Sequence, residues 1–230
     1  SLTVFNLPSF LIINIGISLV PSISAAFALK DSRRIKATSG KALKYSSILA
    51  FGCAFGLSAV SRSTLLLLFS RDPEGVEVAV PLLEVISFAL IAVGLTNVTA
   101  SILQAVGKSY LPVLSVGIGT LVKTVVTFVL VGIPEIGVMG APIATNIAYP
   151  IMMIFNLYFI KKYLHMLPKF SKTFVKPFAA GLACYAAARA SLVLFERWLS
   201  PKIAVFPAVL AAMVVYLALI VLLRVVSVRE

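Results

Sequence analysis

The amino-acid sequence predicts an all-α integral membrane protein of about seven transmembrane helices. Composition is the first ground: 60% of the 230 residues are hydrophobic, 12% are charged, and mean hydropathy is +1.07. Soluble domains carry about 25% charged residues and cannot cover this much apolar surface. The second ground is the length of the apolar runs, and the third is the side on which the charges between them fall.

A spanning helix needs about 20 mostly apolar residues. Seven runs meet that length, at Leu2–Leu29, Tyr45–Phe69, Val78–Val106, Tyr110–Val131, Met139–Ile160, Phe174–Leu194 and Ile203–Leu223. Such runs are too long for barrel strands, which alternate over about ten residues. The first run holds Pro8, Pro21 and Asn14, and the second holds Cys53 between Gly52 and Gly56. The third contains Thr96, Asn97, Thr99, Ser101 and Gln104, and the fourth contains Gly117, Gly119 and Lys123. Asn146, Pro150 and Asn156 lie in the fifth, while the sixth is alanine-rich from Ala179 to Ala190 and the seventh holds Pro207. Proline removes a backbone donor and tends to kink a helix. The glycines fit close helix packing or hinges.

The charges test this segmentation through the positive-inside rule. Odd-numbered loops and the C-terminus hold Lys30, Arg33, Arg34, Lys36, Lys41, Lys44, Lys108, Lys161, Lys162, Lys169, Lys172, Lys176, Arg224 and Arg229. Even-numbered loops hold Arg71, Arg197 and Lys202 beside Asp72, Glu74, Glu77, Glu135 and Glu196. Fourteen basic residues therefore lie on one side and three on the other, which makes the odd loops cytoplasmic, the N-terminus external and the C-terminus internal. The net charge of +12 follows this topology. It reads as contact with anionic membrane lipids, and no nucleic-acid face is expected.

Four ionisable residues fall inside spans: Arg62, Glu84, Lys123 and Arg189. Buried charge in hydrocarbon is costly, so each is a site candidate with a partner to be named. At about 1.5 Å rise per residue, Arg62 and Glu84 differ in depth by about 6 Å, and Lys123 lies near the depth of Arg62. Two arrangements fit. In one, Arg62 and Lys123 share an outward-facing cationic cavity that Glu84 braces. In the other, Arg62–Glu84 is a structural pair and Lys123 snorkels to the surface. Arg189 reads as a snorkelling residue. Asn97 and Gln104, seven residues apart, share one helix face and could line a path or bond a neighbouring helix.

Enzyme motifs do not form. Cys53 and Cys184 lie in different spans without a CxxC pair, and His165 has no ligand partner at metal spacing, so no metal or cofactor is implied. Gly107-Lys108-Ser109 resembles a P-loop ending, yet the upstream glycine it needs is Ile102. No Ser-His-Asp set, HExxH or close acidic pair occurs. The Asn97-Val-Thr99 sequon lies within a span. Any transport would be secondary, coupled to an ion, the membrane potential or a substrate gradient.

One stretch resembles a known pattern. Ser101-Ile-Leu-Gln104-Ala-Val-Gly107-Lys108 is followed by Pro112, Lys123 and Ile133-Pro134-Glu-Ile-Gly137-Val-Met-Gly140-Ala141-Pro-Ile-Ala-Thr145. With Pro8 and Pro21-Ser-Ile-Ser24, this resembles the C-terminal part of a polysaccharide biosynthesis or sporulation-protein-VB-like flippase of the MOP superfamily. The resemblance covers Phe5–Lys162 well and the last two helices weakly. It implies two bundles facing a central cavity. Residues 1–165 would supply five helices of the second bundle, and residues 166–230 a basic loop and an appended helix pair. An N-terminal bundle of the same protein would be the missing partner, and the start at Ser1, within apolar sequence, fits a fragment.

The implied substrate is an anionic lipid-linked glycan, an undecaprenyl-pyrophosphate oligosaccharide or a peptidoglycan precursor, flipped across the cytoplasmic membrane. Lys123 matches a lysine of the branch pattern. Arg62, Glu84, Asn97 and Gln104 are candidates from their depth and helix face alone. The rivals are a cation-coupled multidrug exporter, which would prefer acidic cavity groups, and a membrane scaffold without transport.

Overall fold

Asp31 begins the first departure from the expected spans. Its carboxylate accepts the Arg34 N–H at 2.9 Å and caps a helix that starts at Ser32, well before the apolar run. The computed structural model describes residues 2–69, 72–168, 170–195 and 201–223. Arg71, Lys169, Glu196, Arg197, Arg224 and Arg229 of the loop charge count lie outside the described residues.

The helices are α1 (Leu2–Ala28), α2 (Ser32–Ala59), α3 (Ser61–Leu68), α4 (Pro73–Ser87), α5 (Ala89–Ala105), α6 (Tyr110–Val131), α7 (Gly140–Leu164), α8 (Lys176–Phe195) and α9 (Pro201–Leu222). A 3₁₀ turn at Gly137–Met139 leads into α7, and a π turn at Ser171–Val175 leads into α8. Among the described residues there is no β-strand. The protein is an all-α integral membrane protein: α1, α2, α6, α7, α8 and α9 are each long and apolar enough to cross a bilayer. A seventh span forms if α4 and α5, bent by 43° at their junction, are taken together.

Three run boundaries moved for identifiable reasons. The first turns of α2 are amphipathic, with Ile35, Ser39, Ala42 and Leu43 buried and the basic residues outside. Average hydropathy misses such a stretch, whereas helical periodicity keeps it in register. At its other end the run breaks at Val60, and α3 continues as a separate short helix. The third run starts earlier than its hydropathy, where Asp72 accepts the Gly75 N–H at 3.0 Å and Pro73 opens α4.

The prolines do not break their helices. Helical structure runs through Pro8, Pro21, Pro150 and Pro207, while the 43° bend falls at Phe88, where there is no proline. Side chains take the carbonyls there. Ser87 Oγ donates to Leu83 O at 2.6 Å, and Asn146 Nδ2 of α7 donates to Val85 O at 2.8 Å. Both contacts satisfy backbone acceptors that hydrocarbon would leave unpaired. Phe88 itself meets Phe55 of α2 edge-to-face, with ring centres 5.3 Å apart.

Helix α5 is central, packing on α1, α2 and α7. Its approach to α1 is close enough that a Cβ on Gly94 would stand 2.6 Å from Ile12 Cγ2. Helix α6 packs mainly on α7 and leaves Val113, Leu121, Val125 and Phe128 exposed, the pattern of a lipid-facing helix. Helices α8 and α9 pack on each other and on α2, with Tyr216 Oη donating to Ile48 O at 2.6 Å. At one end the α1–α2 turn, the α5–α6 turn and the end of α7 converge. At the C-terminal end of α9, Lys176 Nζ donates to Leu223 O at 2.6 Å, a cation on a helix C-terminus.

Candidate functional site

Lys123 lies thirteen residues into α6, about 20 Å from its Tyr110 end and about 12 Å from its Val131 end. It is half-buried, and its Nζ stands 6.0 Å from the centre of the Tyr149 ring on α7. That is the outer range of a cation–π contact. Among the described residues Lys123 forms no ion pair or hydrogen bond.

Tyr149 is tied to α5 through its backbone. Thr96 Oγ1 donates to Tyr149 O at 3.2 Å. Two turns further along α7, the fully buried Asn156 donates from Nδ2 to Thr96 O at 3.3 Å and to Thr99 Oγ1 at 3.2 Å. Thr99 in turn donates to Leu95 O at 2.7 Å. The α5–α7 seam is therefore a polar network behind the lysine, and it fixes the surface on which the Tyr149 ring stands. Only Asn156 Oδ1 of this network is buried without a partner.

The remaining expected residues divide between two places. Asn97 follows Thr96 on α5, half-buried, and its Nδ2 donates to Val93 O at 2.8 Å. Gln104 is exposed in the last turn of α5, on the same side two turns away. Arg62 and Glu84 stand instead where α3 meets α4. Arg62 grips Glu77 Oε1 from Nε at 3.1 Å and Nη2 at 2.7 Å, and Ser61 donates to Glu84 Oε1 at 3.0 Å. Glu77 and Glu84 are two turns apart, so they line one face of α4 for α3 to dock on.

Helix α3 packs on α4 and α9, whereas α6 packs on α7 and α5. The chain thus gathers Lys123 with the α5–α7 seam and keeps Arg62 with Glu84 at another corner. Arg62 and Lys123 do not meet. Sequence reasoning missed Glu77, which looked like a loop acid, and Tyr149, whose role depends on a contact between helices.

Two cavities accompany these groups, and none of the five residues lines either. One, of about 690 Å³, lies at the basic end among Lys30, Lys36, Lys108, Tyr163 and His165. The other, of about 570 Å³, is an apolar groove where α1, α2, α8 and α9 meet, with Pro8, Gly52, Cys53, Cys184 and Tyr216 on its walls. Among the described residues, no three or more His, Cys, Asp or Glu side chains come together as metal ligands.

A bundle of six helices long and apolar enough to cross a bilayer, with a seventh span if α4 and α5 are taken together, defines a polytopic membrane protein. The profile of the lipid II flippase family MurJ matches residues 1–226, and the chain belongs to that family. The family takes its name from a lipid II flippase, which is a transporter and not an enzyme. A curated relative, the uncharacterized membrane protein YabM of Bacillus subtilis (strain 168), is 31% identical over 157 residues. That alignment covers 68% of this chain but only 28% of the relative, so the chain spans well under half of the relative's length. No solved structure matches the chain.

Proposed function

We propose that this chain forms one wall of a flippase cavity for an undecaprenyl-pyrophosphate-linked peptidoglycan precursor or oligosaccharide. The observation that carries the reading is the half-buried ammonium of Lys123, without an ion pair among the described residues, in a chain matched by the lipid II flippase family over residues 1–226. A diphosphate supplies the missing counter-charge, and the low dielectric around the site strengthens that attraction. Asn97 and Gln104, on the neighbouring helix, offer hydrogen bonds along the path of the headgroup. Arg62 and Glu84, held through Glu77 and Ser61, brace the α3–α4 corner at the far end of that path.

In this reading residues 1–165 are the larger part of a second transporter bundle, and residues 166–230 are an appended pair. The packing of α8 and α9 on α2, away from α6, supports that division. A preceding bundle of the same protein closes the other side of the cavity, and rocking of the two exposes the site to either leaflet. The basic end faces the cytoplasm, which the fourteen-to-three distribution of basic residues supports.

The test is headgroup flipping of a labelled undecaprenyl-pyrophosphate glycan in proteoliposomes, with Lys123→Ala beside the unaltered protein. Loss of flipping in a variant that still folds is expected. Equal flipping by the two removes Lys123 from the cavity.

A further inference from the structure

We propose that the cavity at the basic end is a binding site for the phosphate headgroup of an anionic membrane phospholipid, separate from the flipping path. Three elements distant in sequence build it: the α1–α2 turn with Lys30 and Lys36, the α5–α6 turn with Lys108, and the end of α7 with Tyr163 and His165. Among the described residues no Asp or Glu lines it. The nearest acid in sequence, Asp31, is outside the lining and caps α2, its Oδ1 accepting the Arg34 N–H. Lys108 is half-buried and held in place by the Tyr163 ring, whose centre lies 5.2 Å from Nζ.

The backbone is strained here. Lys30 at φ 52° and His165 at φ 49° are the two non-glycine residues with positive φ among the described residues, and both line this cavity. Left-handed backbone costs a residue with a Cβ, and such positions concentrate at ligand sites. In His165 the conformation also closes α7, its N–H donating to Lys161 O at 3.1 Å.

The other wall selects a lipid over a soluble phosphate. Phe27, Ala28, Ile35, Val106 and Leu164 complete the lining. Leu29, Tyr110 and Leu167 are exposed at the same end. A phosphodiester with acyl chains meets the lysines and the apolar wall together, whereas a free phosphate leaves that wall wet. A volume of about 690 Å³ accommodates a headgroup and the start of its chains. Basic pockets between spanning helices on the cytoplasmic side are suited to such headgroups.

The test uses the protein as the cell makes it, purified in neutral detergent and exchanged with phosphatidylglycerol or phosphatidylcholine. Native mass spectrometry counts the lipid retained. One phosphatidylglycerol retained in preference to phosphatidylcholine is expected for the unaltered protein. Each of Lys30→Gln, Lys36→Gln and Lys108→Gln should weaken retention by about fivefold, the factor one basic residue contributes near an anionic surface. The control Lys41→Gln/Lys161→Gln/Lys172→Gln removes charge from the same end but outside the cavity, and it should retain the lipid. Equal retention of the two lipids by the unaltered protein overturns the proposal without reference to any variant. So does an equal loss in the control, which would mean diffuse surface charge. Displacement by millimolar inorganic phosphate, or by one equivalent of undecaprenyl pyrophosphate, overturns the assignment to a membrane phospholipid.

Discussion

Arg62 holds Glu77 through two nitrogens of one guanidinium, Nε at 3.1 Å and Nη2 at 2.7 Å from the same carboxylate oxygen. Both side chains are more than half exposed, so the pair contributes at most about 1 kcal/mol. Arg62→Ala and Glu77→Gln should each lower the melting midpoint in detergent slightly. The exchange Arg62→Glu/Glu77→Arg should restore it. If Arg62→Ala abolishes flipping while Glu77→Gln leaves it intact, Arg62 meets the substrate directly.

Helices α6 and α7 are held together by a contact with no spare room. A Cβ on Gly119 would stand 2.2 Å from Met152 Cγ. Gly119→Val should destabilise the protein by about 1–3 kcal/mol through overpacking. Adding Met152→Ala should recover most of that loss in a thermal unfolding assay. A Gly119→Val protein as stable as the original would mean that α6 is not seated on α7 in this way.

Asn156 joins α5 to α7 from within the bilayer, with Nδ2 bonded and Oδ1 unpartnered. Hydrogen bonds between membrane helices contribute about 0.6 kcal/mol on average and up to about 1.7. Asn156→Ala is therefore expected to cost about 1 kcal/mol in unfolding titrations. It should also reduce flipping, because the seam it stabilises carries Tyr149 beneath Lys123. Unfolding free energy unchanged in Asn156→Ala would contradict the network.

Orientation can be read chemically in a Cys53→Ser/Cys184→Ala background. Lys30→Cys and His165→Cys should resist a membrane-impermeant maleimide added to intact cells, and Glu135→Cys should react with it. The reverse pattern would place the basic end outside.

Much of the fold was legible because the bilayer imposes long apolar runs and the charges lie between them. Helix α6 matches its run from Tyr110 to Val131. The start of α2 was not legible from hydropathy, since Arg33, Arg34, Lys36, Lys41 and Lys44 dilute a stretch whose buried stripe is Ile35, Ala42 and Leu43. The break at Phe88 depends on Ser87 and on Asn146, fifty-eight residues beyond Phe88, and has no local signature. For the candidate site, an isolated charge in a run and a match to the branch pattern pointed to Lys123, whereas depth alone pointed to Arg62. Depth could not separate Arg62 from Lys123, which lie on helices that do not pack together. Glu77 was hidden because α4 begins at Pro73, so an acid assigned to a loop lies on a helix face.

The measurement that bears most directly on the account is flipping of a labelled undecaprenyl-pyrophosphate glycan by the full-length protein reconstituted into liposomes. It would be compared with Lys123→Ala and Lys123→Arg at matched folding. The account predicts a loss of at least about tenfold for Lys123→Ala, equivalent to about 1.4 kcal/mol of headgroup attraction. Lys123→Arg should keep part of the activity, since the charge remains. Undiminished flipping by Lys123→Ala would contradict the assignment of Lys123 to the substrate's diphosphate.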